Sequence, residues 1–227
     1  MGSNITAVAF DLDGTLYPNH RLYIRLIPFL FRRCRLLSAF RKARDQIRAE
    51  QEQSPASFRP DFYDYQTQLT AERLNMPPEK MKEKIEKQIY RKLEGYFPEI
   101  ELFSHVREML ADLRKAPLKL GILSDFPPEN KLKHLGLGDY WDTMLCSEKT
   151  GALKPALQPF SVLADALGSP PEQILYVGNS YHYDAIGAKR AGMKTALITG
   201  RFAKKTAKPG VDFTFHDYRQ LRNYVLQ

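Results

Sequence analysis

The chain has 227 residues, 43% of them hydrophobic, with 34 lysines and arginines against 26 acids, a formal charge of +8 and two cysteines. That length and apolar share suit a sizeable buried core and exclude a disordered chain, while two cysteines exclude a disulfide framework. Cys34 and Cys146 form no close cysteine pair or metal-like cluster with histidine, and the longest uncharged apolar stretch near the amino end, Leu26–Phe31, is far shorter than the roughly twenty residues of a membrane span.

A reducing, cytoplasmic setting is the expectation, since no secretory segment precedes the first strand. Met1–Thr6 formally fits a myristoylation pattern, but its last position already falls in that strand. Residues 5–10 (ITAVAF) are short, β-branched and uncharged, as a strand covered on both faces requires, and Asp11-Leu12-Asp13-Gly14-Thr15 follows directly. Two carboxylates therefore stand at a strand's carboxyl end, where open α/β sheets place their ligands. Asp-Gly is also an ordinary turn signal, and the pentapeptide alone leaves that alternative open.

From Tyr17 to about residue 100 the pattern turns helical. Apolar residues at 22, 26, 29, 30, 36, 37 and 40 follow a helical period broken by Pro28, two further helical patterns run over 61–74 and 78–93, and Gly95–Pro98 brings the chain back. Residues 21–48 carry nine basic side chains and one acid, Asp45, so this stretch equals the net charge of the whole chain. Such a stretch suits the steering of a polyanionic substrate, an acidic lipid or nucleic-acid surface, or a merely solvated helix face.

Beyond the insert, residues 118–123 form a second buried strand ending at Ser124-Asp125, and residues 174–177 a third, followed by Gly178-Asn179-Ser180 and Asp184. Lys154-Pro155 precedes a helix over 157–167; strands over 195–199 and 213–215 and a helix over 217–226 close the chain, with a basic loop at 201–208. Tyr140 and Trp141 suit either a core or a contact surface. Strands alternating with helices imply parallel strands joined by right-handed crossovers, so the strand ends share one edge. The fold class expected is a doubly wound (Rossmann-like), mostly parallel α/β sheet, residues 1–16 and 101–227, with an inserted helical cap, residues 17–100. Asp11, Asp13, Ser124, Lys154, Asn179 and Asp184 would meet at that edge. Ser124-Asp125 before two prolines also reads as a helix start, Asn179 and Ser180 as helix caps, and most lysines are merely solvated.

In order and strand position, the motifs DLDGT, LSD, KP and GNSYHYDAIGAKRAGM resemble those of the haloacid dehalogenase-like hydrolase superfamily, in particular its phosphatases, over residues 5–16 and 101–200. The resemblance implies that Asp11 attacks phosphorus to form an aspartyl phosphate and that Asp13 protonates the leaving oxygen and then activates water. It implies that Thr15, Ser124, Asp125 and Lys154 hold the phosphoryl group, with Lys154 also offsetting charge. Asp11, Asp13 through its carbonyl, Asn179 and Asp184 would ligate Mg²⁺, a hard cation suited to oxygen donors. Family members usually have aspartate where this chain has Asn179, which implies weaker metal binding. Dehalogenating members lack the second aspartate, so Asp13 favours phosphoryl transfer. The expected activity is magnesium-dependent hydrolysis of a small phosphorylated metabolite; a phosphomutase and a binding protein with a basic cap are the alternatives. Asp13–Pro18 resembles the opening of pyrimidine nucleotidase-type members, which with the basic cap hints at a nucleotide.

Overall fold

The computed structural model describes residues 4–54, 58–95, 97, 100–200 and 208–227. Six strands, β1 Ala7–Phe10, β2 Lys119–Ser124, β3 Thr143–Cys146, β4 Ile174–Gly178, β5 Lys194–Ile198 and β6 Phe213–Phe215, form one sheet in the order β3-β2-β1-β4-β5-β6. Every pairing is parallel, with Phe10 of β1 opposite Ile122 on one side and Val177 on the other.

Alternation along β1 explains the layering. Val8 and Phe10 point to one face, where they pack with Leu110 and Leu113 of α5 (Val106–Lys115) and Leu221 of α9 (Tyr218–Val225). Ala7 and Ala9 point to the other, against Phe160, Leu163 and Leu167 of α7 (Leu157–Leu167) and Ala188 of α8 (Gly187–Arg190). A sheet covered on both faces needs continuous apolar strands, and all four residues of β1 are fully buried. The expected doubly wound sheet is thus the observed one. β3, a half-exposed edge strand, and the short helix α6 (Glu129–His134) complete it.

Between β1 and α5 lie the helices α1 (Asn19–Gln53), α2 (Phe62–Leu74), α3 (Pro78–Ile85) and α4 (Arg91–Glu94), the last two joined through a π turn over Glu86–Tyr90. Leu36 and Phe40 of α1 pack with Ala71, Met81, Ile85 and Ile89, with Phe126 from the loop after β2 against them; Ala43 and Ile47 pack with Phe62, Leu69 and Leu153. The helical layer therefore rests on the loops that follow β2 and precede α7. The expected interruption at Pro28 is displaced. α1 continues past the proline, whose missing N–H removes one hydrogen bond, and the backbone leaves helical geometry at Arg33 (φ −126°, ψ 18°). The apolar positions 22, 26, 29 and 30 lie outside the described side chains, and residues 1–3 of the myristoylation pattern and 201–207 of the basic loop lie outside the described residues.

Candidate active site

Because β1 is central and in register with β2 and β4, the chain leaves all three strands at the same edge. Asp11 is the first residue beyond β1, and its N–H still donates to the Val177 carbonyl at 2.9 Å. At the end of β4, a Cβ on Gly178 would overlap the Asp184 side chain, so glycine there lets Asp184 fold back over the strand end. Its Oδ2 accepts from the N–H groups of Asn179 and Ser180 at 3.1 and 2.9 Å.

Lys154 joins the two acids. Its Nζ donates to Asp11 Oδ1 and to Asp184 Oδ1 at 2.7 Å each, so these carboxylate oxygens stand no farther apart than twice that distance. The ammonium also donates to the Tyr176 hydroxyl at 3.2 Å, which in turn donates to the Leu123 carbonyl. Thr15 Oγ1 donates to Asp11 Oδ2 at 2.7 Å. Burial pushes the Asp11 carboxyl up to about 7; Lys154 opposes that rise, and the Asp184 charge adds to it. The same two carboxylates outweigh burial at Lys154 and hold its ammonium well above the ordinary lysine range. One ammonium between two buried acids leaves the centre short of positive charge.

Asp13 lies one step farther along the loop, half-buried, in a separate ion pair. Lys131 of α6 donates to both of its oxygens at 2.8 and 2.7 Å, Tyr17 donates to Oδ1, and Ser124 Oγ lies 3.4 Å from Oδ2. Burial raises the Asp13 pKa, but Lys131 and the Tyr17 hydrogen bond together bring it below the usual carboxylate value. The Lys131 ammonium is itself buried, about 5.2 and 5.3 Å from the ring centres of Phe97 and Phe126.

Asp125, expected to hold the phosphoryl group, meets α1 and the Lys154 backbone. Its Oδ2 accepts from Arg48 at 2.8 Å and stands 3.7 Å from Arg44, while its Oδ1 lies 3.3 Å from the Lys154 N–H. Arg48 Nε donates to the Lys154 carbonyl at 3.0 Å, so one guanidinium of α1 grips both Asp125 and the backbone of the residue that bridges the acids. Arg44, one turn earlier, pairs with the buried Glu148, bonds Gln66 at 3.0 Å and lies over the Phe126 ring at 4.4 Å.

Asn179 is exposed, and its side-chain amide reaches the Gly14 backbone so closely that a Cβ on Gly14 (φ 87°) would collide with it. The structure thus gathers Asp11, Thr15, Lys154 and Asp184 at one centre. Asp13 and Ser124 lie beside it, Asn179 at its rim, and Asp125 on the side of the helical layer. Sequence reasoning missed Lys131, Tyr17, Tyr176, Arg44 and Arg48. Tyr176 alone had a local signal, as the single hydroxyl in a wholly buried strand. Among the described residues no three His, Cys, Asp or Glu side chains are grouped as metal ligands. A donor set here would combine the two carboxylates with the Asn179 amide and a main-chain carbonyl.

The motif order on this sheet edge has a counterpart among known families: the model of the haloacid dehalogenase-like hydrolases matches residues 5–192. The chain belongs to this hydrolase family. Among curated relatives, glyceraldehyde 3-phosphate phosphatase of Methanothermobacter thermautotrophicus is 28% identical over 131 residues, 54% of this chain and 58% of that protein. Pyrophosphatase PpaX of Halalkalibacterium halodurans is 28% identical over 199 residues, 86% of this chain and 83% of the relative. Among solved structures, the 2-haloacid dehalogenase of Pseudomonas syringae pv. Tomato superposes with a TM-score of 0.69 at 20% identity, covering 98% of each chain, a likeness of fold. As a haloacid dehalogenase-like hydrolase, the chain has the expected sheet and, at its carboxyl edge, the acids that the motifs anticipated.

Proposed function

We propose that this hydrolase cleaves phosphomonoesters of a small metabolite through an aspartyl phosphate on Asp11. The observation that carries the reading is the Asp11–Lys154–Asp184 cluster with a second acid, Asp13, on the same loop. In the family pattern that the motifs resemble, that second acid favours phosphoryl transfer over dehalogenation, and relatives named glyceraldehyde 3-phosphate phosphatase and pyrophosphatase support a phosphorylated substrate. Residues 17–100 act as a cap resting on the loops of the core.

In this reading Thr15 and Lys154 orient Asp11, and attack on phosphorus forms a carboxyl–phosphate bond as the ester oxygen departs. Ser124 Oγ and Lys154 offset the phosphoryl charge. Asp13 gives its proton to the leaving oxygen and later takes one from the water that cleaves the intermediate. Lys131 holds Asp13 ionised in the free enzyme, so the proton is gained only once the phosphoryl oxygens compete for that ammonium. Asp125 positions Lys154 rather than touching substrate.

The oxygen-rich donor set and the shortage of positive charge between Asp11 and Asp184 fit Mg²⁺, held by those carboxylates, the Asp13 carbonyl and the Asn179 amide oxygen. When bound, the ion supplies charge neutralisation for the phosphoryl group. A phosphate-release screen over sugar phosphates, nucleotides, phosphoglycolate and pyrophosphate tests the proposal. Asp11→Asn is expected to lower the best turnover at least about 10³-fold, because the nucleophile is lost; turnover that persists in this variant contradicts it.

A further inference from the structure

The amino-terminal half of α1 carries apolar side chains that the fold leaves in water. Ile24, Ile27 and Phe31 are 63%, 48% and 80% exposed, and their spacing of three and four residues sets them on one side of the helix. Directly after Phe31 the chain turns basic. Arg32, Arg33 and Arg35, with Lys84 of α3, line a depression of about 300 Å³ whose apolar lining includes Leu36, Leu74 and Met76. Among the described residues none of these four cations is in an ion pair. Farther along α1, Arg41 meets Asp45, Arg44 meets Glu148 and Arg48 meets Asp125. Arg32, Arg33 and Arg35 thus leave three uncompensated positive charges directly after the apolar stripe.

We infer that this end of α1 is a docking surface for a membrane rich in anionic lipid, with the stripe entering the headgroup–acyl boundary and the basic depression receiving lipid phosphates. A second copy of the chain fits poorly, since self-association here would bring two such cationic segments face to face. Nucleic acid would use the cations but has no counterpart for exposed isoleucine and phenylalanine, whereas an anionic bilayer satisfies both. Among the described residues no helix is long and apolar enough to cross a membrane, so the contact lies on the surface.

Sedimentation of the full chain with phosphatidylcholine vesicles, with and without a phosphatidylglycerol fraction of about one third, tests the inference. Partition is expected to be at least tenfold stronger, on the order of the gain from two neutralised cations, onto the anionic vesicles. The double variant R32A/R35A should reduce it about 25-fold, at roughly fivefold per cation. Phe31→Ser should reduce it about tenfold through loss of apolar insertion. Both variants alter exposed side chains and should keep the wild-type melting temperature. Cys34 is exposed and Cys146 is 2% exposed, so a polarity-sensitive dye attached to the native protein reports from the depression itself and should shift to the blue on anionic vesicles alone. Three results would overturn the inference: no wild-type partition onto anionic vesicles, undiminished partition of Phe31→Ser, or a Phe31-dependent dimer in sedimentation velocity without vesicle binding.

Discussion

Asn179 illustrates how a single side chain tunes a site whose frame is set elsewhere. Its amide is held against Gly14 at the rim of the Asp11–Asp184 centre, and as a ligand it contributes an oxygen but no charge. Asn179→Asp should therefore lower the Mg²⁺ concentration for half-maximal activity, roughly tenfold if one added charge is worth about 1.4 kcal/mol at this exposed position. Magnesium titrations of wild type and variant check this, and an unchanged or higher requirement contradicts it. Lys131 acts on the neighbouring acid. It opposes the effect of burial on Asp13, so Lys131→Met should raise the Asp13 pKa and move the alkaline limb of the pH–rate profile upward. A limb that stays in place would show that Asp13 is not the proton donor. Nothing local announces Lys131, which sits in the polar stretch Glu129–His134 and meets Asp13 across 118 residues of sequence. Asp11 and Asp13, by contrast, were legible because their place follows from the strand immediately before them.

At the scale of elements, α1 is the part whose role changed most between sequence and structure. Its basic residues read as a steering face, a lipid or nucleic-acid surface or a solvated face, yet Arg44 is 4% exposed and, with Gln66, Tyr90 and Glu148, forms a polar cluster between α1, α2, the π turn and the loop after β3. Removing the guanidinium leaves the Glu148 carboxyl buried without its cation. Arg44→Met should thus cost about 3 to 5 kcal/mol in urea unfolding, and R44M/E148Q should recover part of it. An Arg44→Met loss below about 1 kcal/mol, the worth of an exposed pair, would refute that account. Periodicity served well where an element buries one clear face. The helix over 157–167 and the strand over 213–215 match their expected bounds, and β2 and β5 shift by a single residue. β3 escaped notice because Thr143–Cys146 is a short, half-exposed edge strand whose apolar run is only three residues long. α5 does carry apolar residues at 106, 109, 110 and 113, a helical signal present in the sequence. The bend at Arg33 had none.

The molecule as a whole should record its buried acids in the pH dependence of its stability. The folded Asp11 keeps its proton up to about 7, whereas an unfolded aspartate releases it near 3.8, so between those values the folded state binds more protons. This group's contribution to unfolding free energy therefore falls as pH rises through that window and levels off above it. Denaturant titrations in EDTA should show that decline, Asp11→Asn should remove this contribution, and Mg²⁺ should flatten the curve by favouring the ionised carboxyl. A metal-free curve with the same slope in wild type and Asp11→Asn would contradict the raised value.

From the chain alone came the alternation of strands and helices, the parallel doubly wound sheet and the acids at its carboxyl edge. Each depends on short-range facts: apolar runs, the residue that follows them, and the handedness of crossovers. Only the tertiary structure decided which charges meet. Lys154 between Asp11 and Asp184, Lys131 on Asp13 and Arg48 on Asp125 are ion pairs across 30 to 143 residues. Ion pairing has no period along a sequence; a buried charge takes whichever partner the packed elements bring within reach, and that choice is made in space.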